Sequence, residues 1–150
     1  MTNKNKKAET RYFILIGSQE NWKTSLTHNL WGFAETSKGS WNKTNPDDLL
    51  VFYVMLPVRK IIGFGRVGKK FINDNLVWDE ERKSNESIWK YKFEIKPSYV
   101  CKDWKDGIEL PPMMLATSRK VIDKDVFAKL VKKADSSWKT SLFKEFFGKK

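Results

Sequence analysis

Apolar residues fall along this chain in short blocks, and the spacing within them changes from block to block. Tyr12-Phe13-Ile14-Leu15-Ile16 is continuous and β-branched, which predicts a buried strand broken by Gly17 and Ser18. Ser18 suits a helix N-cap with Glu20 in the first turn, and Trp22, Leu26 and Leu30 recur at i, i+4 and i+8. This predicts an amphipathic helix over 19–29, left through a second apolar run, Leu30-Trp31-Gly32-Phe33. Leu49 to Met55 follows the turn residues Asn45-Pro46-Asp47-Asp48 and is too continuously apolar to have one wet face. It predicts a central strand. Ile61 to Val67 predicts the next one, and residues 79–87 predict an exposed charged loop. Trp89 to Lys96 alternates strictly, predicting a half-buried strand with its aromatics inward, ended by Pro97.

Met113 to Ala116 is a further short apolar run. Asp123 then caps a predicted helix carrying Val126, Phe127, Leu130 and Val131 on one face. Residues 136–150 predict a last amphipathic helix or tail, with Trp138, Leu142, Phe143, Phe146 and Phe147 on one stripe. Its WKTSL, 138–142, repeats WKTSL at 22–26 letter for letter, which reads as convergence of two amphipathic helices. A β-α-β opening, then strands, then helices predicts an α+β fold: a curled mixed sheet with helices at its margins.

Composition adds a size and a charge. At 150 residues the chain is one domain, able to bury roughly 70% of its unfolded surface. Seven Trp, ten Phe and four Tyr supply the core. Residues 1–10 read as a flexible basic arm, with no signal peptide or membrane span expected. One Cys excludes an internal disulfide, and a Lys-rich, Cys-poor chain reads as cytoplasmic. The formal net charge of +11 favours polyanions, nucleic acid first, and a monomer is expected. A lysine-coated surface with no polyanion partner is the plainer alternative.

Candidate chemistry narrows the picture further. Gly63-Phe64-Gly65-Arg66-Val67-Gly68 fits G-x-G-x-x-G, yet only a short segment follows before Asn73-Asp74-Asn75 turns the chain. A dinucleotide loop needs a helix there to aim its N-terminus at a phosphate, so the glycines predict strand bending or close packing instead. One His and one Cys leave no zinc site of N and S ligands, and no cofactor is expected. A nucleophilic triad would depend on His28, on the polar side of the first helix. The pairs Asp47-Asp48 and Glu80-Glu81 sit in turns and loops, where solvated charge is the default. These features predict a non-enzyme. Trp31, Trp41, Trp78 and Trp104 lie beside polar or glycine-containing turns, which suits stacking on bases; packing under the loops is the alternative reading.

RYFILIGSQENW…NLWGF, NPDDLLVFYV, KIIGFGRV, LVWDEE and WKYKFEIKP, in this order, resemble the EVE domain. That family is similar in fold to the YTH domain and belongs to the PUA-like superfamily. The resemblance covers roughly residues 11–132, within a domain taken as 11–135. It implies a PUA-like curled sheet or small barrel with flanking helices, and non-catalytic binding of a flipped, methylated base in DNA or RNA. By position it implies that Ser18 and Asn21 read the base edge, flanked by Gly17 and Gln19. It makes Trp31 and Trp78 two walls of an aromatic cage, facing each other and partly exposed, and Trp89 a third wall. The last assignment competes with the core position that the alternation gives Trp89. Arg119 matches a backbone-contacting basic residue, with Lys38, Lys69 and Lys70 as further phosphate contacts. The short Gln19-Glu20 link to Asn21 departs from YTH domains. A hydrolase or nuclease of the ASCH type, and an interaction module docking through the C-terminal aromatic stripe, are the alternatives.

Overall fold

A computed structural model describes residues 9–115 and 119–148. Six strands form one curled sheet in the order β2-β5-β4-β3-β1-β6. β1 (Tyr12–Gly17) and β3 (Leu49–Val54) are interior strands and pair in parallel. β6 (Arg119–Ile122) runs antiparallel along the other side of β1. β4 (Lys60–Ile72) and β5 (Tyr91–Val100) form the longest pair, and β2 (Leu30–Phe33) closes the far edge on β5. Register shifts in the β3–β4 and β4–β5 ladders bend the strands and curl the sheet.

The continuous apolar runs are continuous because both faces of the sheet are covered. Phe13, Leu15, Leu50 and Phe52 point into one core with Trp22 and Trp31, against α1 (Gln19–His28). Ile14, Ile16, Val51 and Tyr53 point into a second, beneath α4 (Lys124–Trp138) and α5 (Leu142–Phe147). Alternation along each strand therefore divides the side chains between two cores. The short helices α2 (Lys38–Asn42) and α3 (Asp79–Ser84) lie in the connections.

Several elements differ from their sequence expectation. β4 runs on to Ile72, past the expected end at Val67, and as expected no helix follows the glycines. A Cβ on Gly65 would lie 2.5 Å from the Lys96 carbonyl oxygen, so close strand approach explains that glycine. Pro97 does not end β5; it sits opposite Gly65 at a register shift, where its missing N–H is tolerated.

Alternation fails at Lys92, which is fully buried between Tyr91 and Phe93. Its ammonium donates to the Asn73 carbonyl and Oδ1 and to the Asn75 carbonyl, and burial lowers its pKa from the usual lysine value. Residues 79–84 form α3 where an exposed loop was expected, and Glu81 within it is fully buried. The C-terminal stripe is interrupted: α4 runs on to Trp138, Lys139 turns left-handed at φ 58°, and α5 folds back. Phe146 and Phe147 pack on Phe127 at 5.4 and 6.1 Å between ring centroids. The arm, up to residue 8, and Ala116 lie outside the described residues.

Candidate functional site

The parallel pairing of β1 and β3 brings Gly17 and Met55 together, and the Met55 N–H donates to the Gly17 carbonyl at 2.9 Å. Ser18 leaves the strand in extended conformation and caps α1, its Oγ accepting from the Asn21 N–H at 3.1 Å. The hydroxyl proton of Ser18 stays available to a ligand. A cavity of about 230 Å³ opens at this carboxyl end of the two parallel strands. Ligands of open α/β sheets favour the same location.

Trp31, Trp78 and Trp89 line that cavity together with Gly17, Ser18 and Asn21. Trp31 comes from β2 and leans on Trp22 at 4.7 Å between centroids. Trp78 sits at the N-cap of α3, its indole N–H donating to Ser25 Oγ at 3.1 Å. Trp89 precedes β5 and meets Trp78 edge-to-face at 5.6 Å and 75°. It is half-buried, stands outside the strand and lines the cavity, so it does not take the core position that alternation suggests.

Gly32 is required by these rings. A Cβ there would lie 2.7 Å from Trp89 Cβ and 3.0 Å from Trp78 Cη2. The two indoles expected to be partly exposed are nearly sealed, Trp31 at 5% and Trp78 at 3%. Trp22 on one side and Trp89 on the other cover them. Met55, at 44% exposure, and Trp89 form the accessible rim.

Hydrogen bonding singles out Trp31. The indoles of Trp22, Trp41, Trp78 and Trp138 donate to Tyr53, Lys92, Ser25 and Asp106. The Trp31 indole N–H is buried and finds no partner among the described residues. Such an unpaired donor costs about 1–3 kcal/mol, which an acceptor brought by a ligand would recover.

The remaining expected site residues lie elsewhere. Gln19 faces a second, wider groove of about 730 Å³ with Lys23, Lys60, Lys102, Trp104 and Lys105. Arg119 is engaged inside the protein: its guanidinium donates to the Ser40 carbonyl at 2.9 Å and to Thr44 Oγ1 at 2.7 Å, and lies 4.1 Å from the centre of the Phe13 ring. Burial lowers its pKa from the usual arginine value. Lys38 stands over Tyr91 at 5.5 Å, and Lys70 over Trp41 at 4.2 Å. The Lys69 backbone N–H donates to Glu94, and none of these basic residues lines the tryptophan cavity.

Sequence reasoning missed Ser25, Gly32 and Met55 in the lining. Ser25 could have been found, three residues from Trp22 on the same helical face. Gly32 and Met55 carry no local signal, because their role depends on what the sheet brings beside them.

A curled, half-open sheet with α1 following directly from the interior strand β1 defines a class of fold, and comparison with solved structures makes it specific. The fold is YTH-like. The Pho92 YTH domain in complex with m6A matches with a TM-score of 0.60 at 13% identity, over 84% of each chain. The Mmi1 YTH domain in complex with RNA matches at 0.57 and 15%, over 87% of this chain and 81% of that one. The Toxoplasma CPSF4 YTH domain, in complex with a 7-mer m6A-modified RNA, matches at 0.55 and 18%, over 82% and 89%. No protein-family model matches the sequence, and no curated protein matches it.

Proposed function

We propose that the protein is a non-catalytic reader of a methylated base in RNA, an EVE-type variant of the YTH-like fold spanning residues 11–135. The observation that carries this reading is the cavity with three tryptophans and one unpaired buried indole N–H. Extruding a base costs a few kcal/mol of unstacking. Stacking on an aromatic face returns about 1–3 kcal/mol per base, and a base methyl group buried among indoles adds apolar area. Ser18 and Asn21 supply hydrogen-bonding groups for the base edge, and an acceptor on the base would satisfy Trp31. Access lies past Trp89 and Met55. The solved YTH complexes with m6A and m6A-modified RNA support the ligand class.

The strand flanking the base would run into the neighbouring groove, where Lys23, Lys102 and Lys105 meet phosphates and Trp104 offers a half-exposed ring. Both alternatives lose ground. Among the described residues the cavity is lined by tryptophans and small polar side chains, not by the Lys and Glu that the hydrolase alternative would use. The aromatic stripe that a docking module would present is folded onto Phe127.

Equilibrium binding to two RNA oligonucleotides differing by one N6-methyl group on adenine tests the reading. The expected outcome is preference for the methylated strand, with Trp31→Ala losing about 1–3 kcal/mol of affinity for it. Equal affinities for the two strands would sink it.

A further inference from the structure

Glu81 is the one buried residue among the six of α3. Its carboxylate accepts four backbone N–H groups from two separate segments. Oε1 takes Val77 at 2.9 Å and Trp78 at 3.3 Å; Oε2 takes Ile88 at 2.9 Å and Trp89 at 2.9 Å. The bond to Trp78 is the N3-to-N-cap half of a capping box. The bonds to Ile88 and Trp89 are not part of any helix cap. They join the chain beyond α3 to the chain before it, and each joined segment carries one tryptophan of the cavity.

The spacing between those tryptophans leaves little tolerance. Their rings touch edge-to-face, and Gly32 lies against both with no room for a methyl group. A buried carboxylate with four N–H donors, three of them at 2.9 Å, is held in one position, because leaving either oxygen unpaired away from water is costly. Held there, it fixes the backbone of both wall residues at once.

We propose that Glu81 is a positioning residue for the ligand site: acting through Trp78 and Trp89, it sets the separation of two walls of the cavity. The inference rests on the base-reader assignment of that cavity. Glu81→Gln keeps the shape but puts an amide NH2 against two of the four donors, releasing one segment from the other.

The test uses the full chain and the same methylated and unmethylated RNA oligonucleotides, with Glu80→Gln as an exposed control. Glu81→Gln is expected to weaken binding of the methylated strand about tenfold, the worth of one hydrogen-bonded support, and to leave the unmethylated strand unchanged. In the free protein it should raise acrylamide quenching of tryptophan fluorescence, while Glu80→Gln leaves it as in wild type. Equal weakening for both strands, or unaltered discrimination and quenching, would overturn the proposal. If Glu81→Gln does not fold, Glu81→Asp reads the same two quantities, with a shorter carboxylate that reaches fewer donors. A wild-type protein that ignores the methyl group would remove the base-reader assignment, and the quenching arm would still decide whether Glu81 holds the walls.

Discussion

Asp48 and Glu81 are each the second member of an acidic pair, and each is buried while its neighbour is exposed. Asp48 accepts the backbone N–H of Arg11 at 3.0 Å and of Asn45 at 2.8 Å, so it ties the start of β1 to the turn before β3. Burial raises its pKa from the usual carboxylate value, against those N–H donors and the nearby Arg11 and Arg119. A sequence shows two acids in a turn; which one meets backbone donors depends on the path of the chain. Cys101 is a simpler buried group, at 4% exposure, with its thiol pushed up from 9.0 to about 11. A raised folded-state pKa favours the neutral thiol, so its contribution to stability is complete below 9.0 and is lost as pH rises through about 11. Near pH 8 the native protein should resist maleimide labelling and label fully on denaturation, because the thiolate is the reactive form. Rapid labelling of the native protein would contradict the burial.

At the scale of elements, WKTSL adopts two structures in one chain. Trp22 to Leu26 lies inside α1, whereas Trp138 to Leu142 ends α4, turns at Lys139 and starts α5. The five letters are identical, so their surroundings decide. After Trp138 the Asp135 carboxylate accepts Thr140 Oγ1 at 2.6 Å, the Leu142 N–H at 2.7 Å and the Phe143 N–H at 2.9 Å. That pulls the chain back and seats Leu142 in the second core. Asp135→Ala should leave the two N–H groups without this acceptor and cost about 1–3 kcal/mol of stability in urea denaturation. An unchanged midpoint would mean that packing alone makes the turn. The same dependence on surroundings explains α3, whose run of charges resembles a loop until Glu81 is seen to be enclosed.

Across the whole molecule, the net charge of +11 and the internal engagement of Arg119 redirect the electrostatic expectation. RNA affinity should fall steeply with salt through counterion release. Lys102→Ala or Lys105→Ala in the groove should each flatten the salt slope by about one unit, alike for methylated and unmethylated strands. Arg119→Ala should leave that slope intact and lower stability, because it unties α2 from the sheet. A flattened slope at unchanged stability would restore Arg119 as the phosphate contact that the family resemblance implies.

Much of this was legible along the chain because it rests on local periodicity. β1, α1, β2 and β3, the start of β4 and the body of α4 follow from apolar spacing, the Ser18 and Asp123 caps and the Asn45–Asp48 turn, each confined to a few neighbouring residues. The order of those elements carried the resemblance that named Ser18, Asn21, Trp31, Trp78 and Trp89 together. Burial of Glu81 and Lys92, the fold-back of α5, the internal role of Arg119 and the sealing of Trp31 and Trp78 depend on partners outside any helical or strand repeat, from the Val77 and Trp89 amides around Glu81 to Ser40 and Thr44 far from Arg119. Apolar periodicity says nothing of such pairings, even where both partners lie close along the chain. The tertiary structure decided them, because a charge or an indole N–H can leave water only where another part of the chain supplies its hydrogen bonds, and the buried Trp31 indole N–H finds no partner among the described residues.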